Sequence, residues 1–194
     1  FNERQVFQCW DMLAGRLLPE LGGSPAHLDI LGINYYWTNQ WELGSTGNED
    51  GILPPLAEDD PRRLPLSELV HSVWQRYGHA VILSEIAAVG HKRGDLVREV
   101  ALESITMFER NIPIGGACLY PILGMPEWHA RDVWVPMGLW DPVCHRNPAD
   151  GRTICEPMLE ALRSVQHIEL SHRRTRARRF ESVASPPLPQ RKLR

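Results

Sequence analysis

Glu85 is the first residue in this chain whose setting suggests chemistry. It closes an apolar run, AVILSE, from Ala80 to Glu85. If that run is a buried strand, the backbone delivers the carboxylate to the rim of a sheet. There it can serve as a nucleophile or a general acid/base, or simply be solvated; position alone leaves the two readings even. Asn34, Tyr35 and Tyr36 end a second apolar run on the same side. An amide and a phenol can hydrogen-bond a hydroxylated ligand or orient a carboxylate. Aromatic core followed by a turn-forming Asn is the competing reading. Five of the seven tryptophans (Trp37, Trp41, Trp128, Trp134 and Trp140) lie at or after strand ends. Sugar rings have apolar faces that stack on aromatic rings, so such loops suit carbohydrate, with core packing accounting for one or two of them.

The elements that must position these residues follow from periodicity. Apolar residues at Val6, Cys9, Trp10, Leu13, Leu17 and Leu18 predict an amphipathic helix over 6–21, ended by Gly22-Gly23. Leu28 to Trp37 has no helical period and reads as a buried strand. A polar stretch from Thr38 to Pro65 follows. Ser67 then predicts a cap for a helix from Glu68 to about Tyr77, stopped by Gly78. Ala80 to Glu85 is the second strand, and Asp95 to Arg110 the clearest helix. Ile114 to Ile122 is the third strand. A long loop from Leu123 to Thr153 leads to a last helix, Glu156 to about Leu170. Strands alternating with helices imply an α/β fold with a parallel sheet. Long polar connections after the strands, with short returns, belong to a β/α barrel or an open α/β sheet, whose working loops follow the carboxyl ends.

Composition narrows the class. The chain has 194 residues, 43% hydrophobic and 23% charged, and a formal net charge of −3. That is the balance of a globular domain, and it argues against a general nucleic-acid binder. The longest uncharged stretch, Asn111 to Pro126, is 16 residues and carries three prolines, which argues against a membrane span. Residues 172–194 hold eight Lys/Arg and one Glu, so the preceding body is acidic and the tail basic. The four cysteines form no CxxC pair, and no HExxH occurs, so no metal is expected. A reduced, cytoplasmic setting is the simplest expectation. GxGxxG and GxxxxGK[ST] are missing as well, which leaves a nucleotide cofactor unsupported.

The ordered set LDILGINYY, VILSE and GACLYPILGMPEW resembles the C-terminal half of a family-one-type retaining β-glycosidase of the (β/α)8 clan, over about residues 1–170. The resemblance implies that the three strands are about strands six to eight of a TIM-type barrel. It implies that Glu85 is the nucleophile, that Tyr36 hydrogen-bonds it and that Asn34 is a site amide. Tyr120 falls where the family often has a Trp under the sugar, and Glu127 and Trp128 match the pair that holds glycone hydroxyls. The chain departs from the pattern in two places. Ser84-Glu85-Ile86-Ala87 stands where Thr-Glu-Asn-Gly is usual, and Tyr120-Pro121-Ile122 where Trp-Ser-Leu is usual. The family's acid/base lies in an Asn-Glu-Pro motif, which does not occur here.

A retaining glycosidase needs two carboxylates, and a full barrel takes about 250 residues. The expectation is therefore a fragment of a larger enzyme: a partial barrel domain over 1–171 and a basic, Pro-containing disordered tail over 172–194. Such a piece would acquire a partner, either a second copy or the missing N-terminal half, and would act on a saccharide or glycoside without metal or organic cofactor. Two other readings stay open. One is a non-catalytic remnant or carbohydrate-binding module using the same rim. The other is an interaction domain whose tail, with its PPLPQR segment from Pro186 to Arg191, recruits a partner.

Overall fold

A computed structural model of the chain describes residues 5–42, 54–144 and 150–166. The expected tail over 172–194 lies outside the described residues. Three parallel strands form one sheet in the order β1-β2-β3: β1 Ile30–Tyr36, β2 Ala80–Ala87 and β3 Ile114–Leu119. Helix α1 (Gln8–Leu13) precedes them, α2 (Leu66–Tyr77) joins β1 to β2, and α3 (Lys92–Glu109) joins β2 to β3. A short antiparallel pair follows, β4 (Trp140–Pro142) with β5 (Arg152–Ile154), and then helix α4 over 156–166.

Both connecting helices cover the same face of the sheet. Leu66, Val70, Val73 and Tyr77 of α2 share one core with Val100 and Met107 of α3 and with Leu31, Tyr35, Val81, Leu83 and Ile86 of the strands. Residues of the opposite face are left open: Ile30 is 60% exposed and Ile82 37%, against 1% for Leu31. Sequential strand order with helices on one side is the winding of a barrel wall; a doubly wound sheet carries helices on both faces.

Two local expectations are corrected. The first helix stops at Leu13 rather than running to residue 21. Gly15 adopts φ +71 and approaches Gly23 so closely that a Cβ there would meet the Gly23 carbonyl oxygen at 2.4 Å. The chain turns at Gly15, Leu18 takes a left-handed conformation, and Pro19–Leu21 makes only a 3-10 turn. Ser67 is not the cap of α2, which begins at Leu66 after Pro65. Ser67 lies buried inside the first turn, and its N–H is satisfied by the Glu103 carboxylate of α3 at 2.8 Å. Gly78 ends α2 in the left-handed conformation as expected.

The long connection after β3 contains structure that periodicity did not reveal, namely the β4–β5 pair and an isolated bridge from Pro126 to Trp134. Arg93 of α3 fastens this connection. Its guanidinium pairs with Asp141 at 2.5 Å, with both side chains largely buried, and donates to the Gly138 and Gly90 carbonyls. Asp141 in turn accepts from the Gly138 N–H at 3.0 Å.

Candidate functional site

Strict alternation along β2 would send Glu85 to the wrong face. Val81 and Leu83 are buried under the helices, and two residues further on Glu85 would follow them. The register shows why it does not. Ile33 pairs with Leu83, but Asn34, the next residue of β1, pairs with Glu85. Ser84 is one extra residue, a β-bulge, and it returns Glu85 to the open face while Ile86 goes back under the helices.

Four polar side chains thereby meet on the open face at the carboxyl end of the parallel strands. The Tyr36 hydroxyl donates to Glu85 Oε2. The Ser84 hydroxyl donates to Asn34 Oδ1 at 2.8 Å. Among the described residues, Glu85 Oε1 has no hydrogen-bond partner. Burial, then the hydrogen bond and charge of Glu85, with a smaller push from Tyr120, hold the Tyr36 phenol well above its ordinary range. It therefore stays a protonated donor at neutral pH. Tyr35 points the other way: it is buried, and its hydroxyl donates to Glu99 of α3 at 3.0 Å.

Tyr120 lies just beyond β3. Its N–H donates to the Ile86 carbonyl at 3.1 Å, next to the bulge, and its hydroxyl reaches Met125 Sδ at 3.5 Å. The Tyr120–Pro121 peptide is cis. Trp37 meets Tyr36 edge-on, with ring centroids 6.4 Å apart. Glu127 and Trp128 stand apart. Both are exposed, Trp128 at 71%, and among the described residues no hydrogen bond or ion pair joins either to Glu85. The Glu127 N–H donates to the Val133 carbonyl at 2.7 Å, which fixes the loop backbone but not the carboxylate.

The structure thus brings Asn34, Tyr36 and Glu85 together, sets Tyr120 beside them, and leaves Glu127 and Trp128 on a separate loop. Ser84 is the site residue that sequence reasoning missed. A polar pair, Ser-Glu, closing an apolar strand was the available signal, because two consecutive polar residues break the alternation that a regular strand requires. Among the described residues no group of three or more His, Cys, Asp or Glu could hold a metal ion. No helix there is long and apolar enough to cross a membrane.

No family model matches the chain, and no curated protein matches it. Solved structures do. The family 1 β-glucosidase from Thermotoga maritima superposes with a TM-score of 0.53 at 16% identity, covering 71% of this chain and 34% of that one. The β-glycosidase from Thermosphaera aggregans gives 0.51 at 17% identity, covering 73% and 32%. An aphid myrosinase gives 0.50 at 14% identity, covering 81% and 42%. The chain therefore has the fold of part of a family 1 β-glycosidase, and it spans about a third of the length of the two glycosidases.

Proposed function

We propose that this chain is the nucleophile-bearing, C-terminal part of a (β/α)8 glycoside hydrolase-like protein, with β1, β2 and β3 as strands six, seven and eight. The observation that carries the reading is the Tyr36–Glu85 hydrogen bond on the open face of a parallel sheet. The phenol engages Oε2 and leaves Oε1 free to attack. In a retaining hydrolysis, Glu85 Oε1 forms an ester bond to the anomeric carbon as the bond to the leaving oxygen breaks. Water then attacks the same carbon, giving up a proton to the acid/base carboxylate and releasing the Glu85 carboxylate, and this second inversion restores the starting configuration.

The acid/base partner of such a pair stands about 5–5.5 Å from the nucleophile and protonates the leaving oxygen. We assign it to a segment outside this chain. Tyr120, Glu127 and Trp128 would hold the sugar, with Trp128 offering an exposed ring face for stacking. No metal or organic cofactor enters the chemistry.

An activated aryl 2-deoxy-2-fluoro-glycoside tests the assignment. Its leaving group departs as a phenolate and needs little acid help, so the missing carboxylate does not mask the nucleophile. The expected result is a covalent adduct, seen by intact mass and located at Glu85 by digestion, and lost in Glu85→Gln. Saccharide-dependent quenching of tryptophan fluorescence without an adduct would favour a non-catalytic binding module instead. A function abolished by deleting 172–194 and indifferent to Glu85 and Tyr36 would favour an interaction domain.

A further inference from the structure

Leu83 and Ile86 both go under the helices, so β2 must carry one extra residue between them. Both neighbouring strands register it. While β2 advances from Leu83 to Ile86, β1 advances only from Ile33 to Tyr35 and β3 only from Ala117 to Leu119. Burial alone does not choose which residue is extra. Were it Glu85, Ser84 would stand opposite Asn34 and the carboxylate would lose its place in the register. In the structure it is Ser84, and Glu85 stands opposite Asn34. We infer that Gly32 and Ser84 are positioning residues: the space over Gly32 on β1 seats the Ser84 side chain, and that seat makes Ser84 the extra residue and Glu85 the partner of Asn34.

Two contacts build the seat. A Cβ at position 32 would come within 3.0 Å of Ser84 Oγ and 3.3 Å of Ser84 Cβ, closer than side chains ordinarily approach. A residue with a side chain there would press Ser84 out of its place. The second contact is the Ser84 hydroxyl, which donates to Asn34 Oδ1 at 2.8 Å. Gly32 lies inside β1, where a glycine weakens a strand and often marks a close approach. Space for Ser84 is what it supplies in return. Ser84 is thereby held between two residues of β1, and Glu85 follows it onto the same open face. The register then sets Glu85 opposite Asn34, and the Tyr36 hydroxyl reaches its Oε2. This deepens the reading of Glu85 as the reacting group; the seat itself stands on register and contacts alone.

Two variants test the seat on the full chain. Gly32→Val fills it with a residue that strands favour, so an effect at the site is not a loss of strand propensity. Ser84→Ala removes only the hydroxyl. The readout is the Tyr36 Cζ resonance in isotope-labelled chain, identified by its loss in Tyr36→Phe. In the parent chain this resonance should move when Glu85→Gln removes the charge to which the phenol donates. In the Gly32→Val background the same change should leave it unmoved, because Glu85 no longer stands beside it. The Ser84→Ala background should show a reduced response. Pairing Gly32→Val with Ser84→Gly clears the crowding and should restore the response, a rescue that general destabilisation would not give.

Rates carry the same pattern to the chemistry. With the activated aryl fluoroglycoside, adduct formation should slow about tenfold in Gly32→Val and about threefold in Ser84→Ala, the size of one lost hydrogen bond. A Tyr36 resonance that answers Glu85→Gln equally in every background would overturn the inference, and so would one that ignores it in the parent chain. Should Gly32→Val fail to fold, an undiminished response in Ser84→Ala overturns the inference by itself. The expected resonance pattern with no covalent adduct at Glu85 would uphold the seat and sink the catalytic reading alone.

Discussion

The two parts of the candidate site are held by different physics. Asn34, Tyr36 and Glu85 are placed by strand register: once β1 pairs with β2, their mutual positions are set by the sheet and its bulge. Glu127 and Trp128 sit on the connection after β3, which among the described residues is held by the largely buried Arg93–Asp141 ion pair, a short strand pair and loop hydrogen bonds such as that from Arg152 to the Gly124 carbonyl. The first group inherits the rigidity of a core in which Leu31, Leu83 and Val81 are almost wholly buried. The second rests on a few polar contacts centred on Arg93–Asp141. The strand-held side chains are thus fixed by the core, and the loop depends on a separate, breakable contact.

The largest expected effect lies under the register-held group. Leu31→Ala removes a side chain that is 1% exposed and should destabilise the chain by about 3–4 kcal/mol. Ile30→Ala, one residue away on the open face, should cost under about 1 kcal/mol. Denaturant midpoints of the two variants check this, and equal losses would mean that something covers the open face in solution. Next comes the clamp. Arg93→Met leaves Asp141 buried without its partner and should cost about 3 kcal/mol. Amide exchange over 123–142 should rise in that variant while β1 and β2 stay protected. Loss of protection in all three strands together would break the distinction between the two regions.

The same distinction explains what could be read from the residues. The strands and α3 announce themselves by apolar runs and a helical stripe, and Glu85 stands out because an apolar run ends on it. Its facing could not be read that way. Period two points Glu85 into the helices, and only the pairing with β1 exposes the extra residue at Ser84. The false extension of α1 has a related cause. Leu17 and Leu18 continue the helical period, but Gly15 is needed at a tight crossing with Gly23, a long-range demand that periodicity ignores. The loop after β3 was the least legible part. Its anchor joins Arg93 to a residue 48 positions later, and neither belongs to a motif.

A smaller effect separates the two tyrosines on opposite faces of β1. Burial, then the charge and hydrogen bond of Glu99, push the Tyr35 phenol up to about 12. A folded-state value above the unfolded one means that the folded chain holds this proton more tightly. Its contribution is fully present below about pH 10 and is lost as pH rises through about 12. Tyr35→Phe should therefore flatten the alkaline loss of stability by about 1 kcal/mol across that window. Denaturant midpoints on either side of it measure the change. An unaltered alkaline slope in the variant would show that Tyr35 does not carry the effect.

The smallest change in stability should accompany the sharpest change in chemistry. Tyr36→Phe removes one hydroxyl from the open face and should alter stability by no more than about 0.5 kcal/mol. The loss of its hydrogen bond to the Glu85 carboxylate should slow adduct formation about tenfold, since a bond to a charged group is worth at least that factor. Trp128→Ala should do the opposite. With its ring 71% exposed on the clamped loop, its loss should weaken saccharide binding and leave the rate at saturation alone. Adduct kinetics over a range of probe concentrations separate the two effects. A Tyr36→Phe variant changed only in affinity, or a Trp128→Ala variant changed only in rate, would show that the loop and the strands share one task.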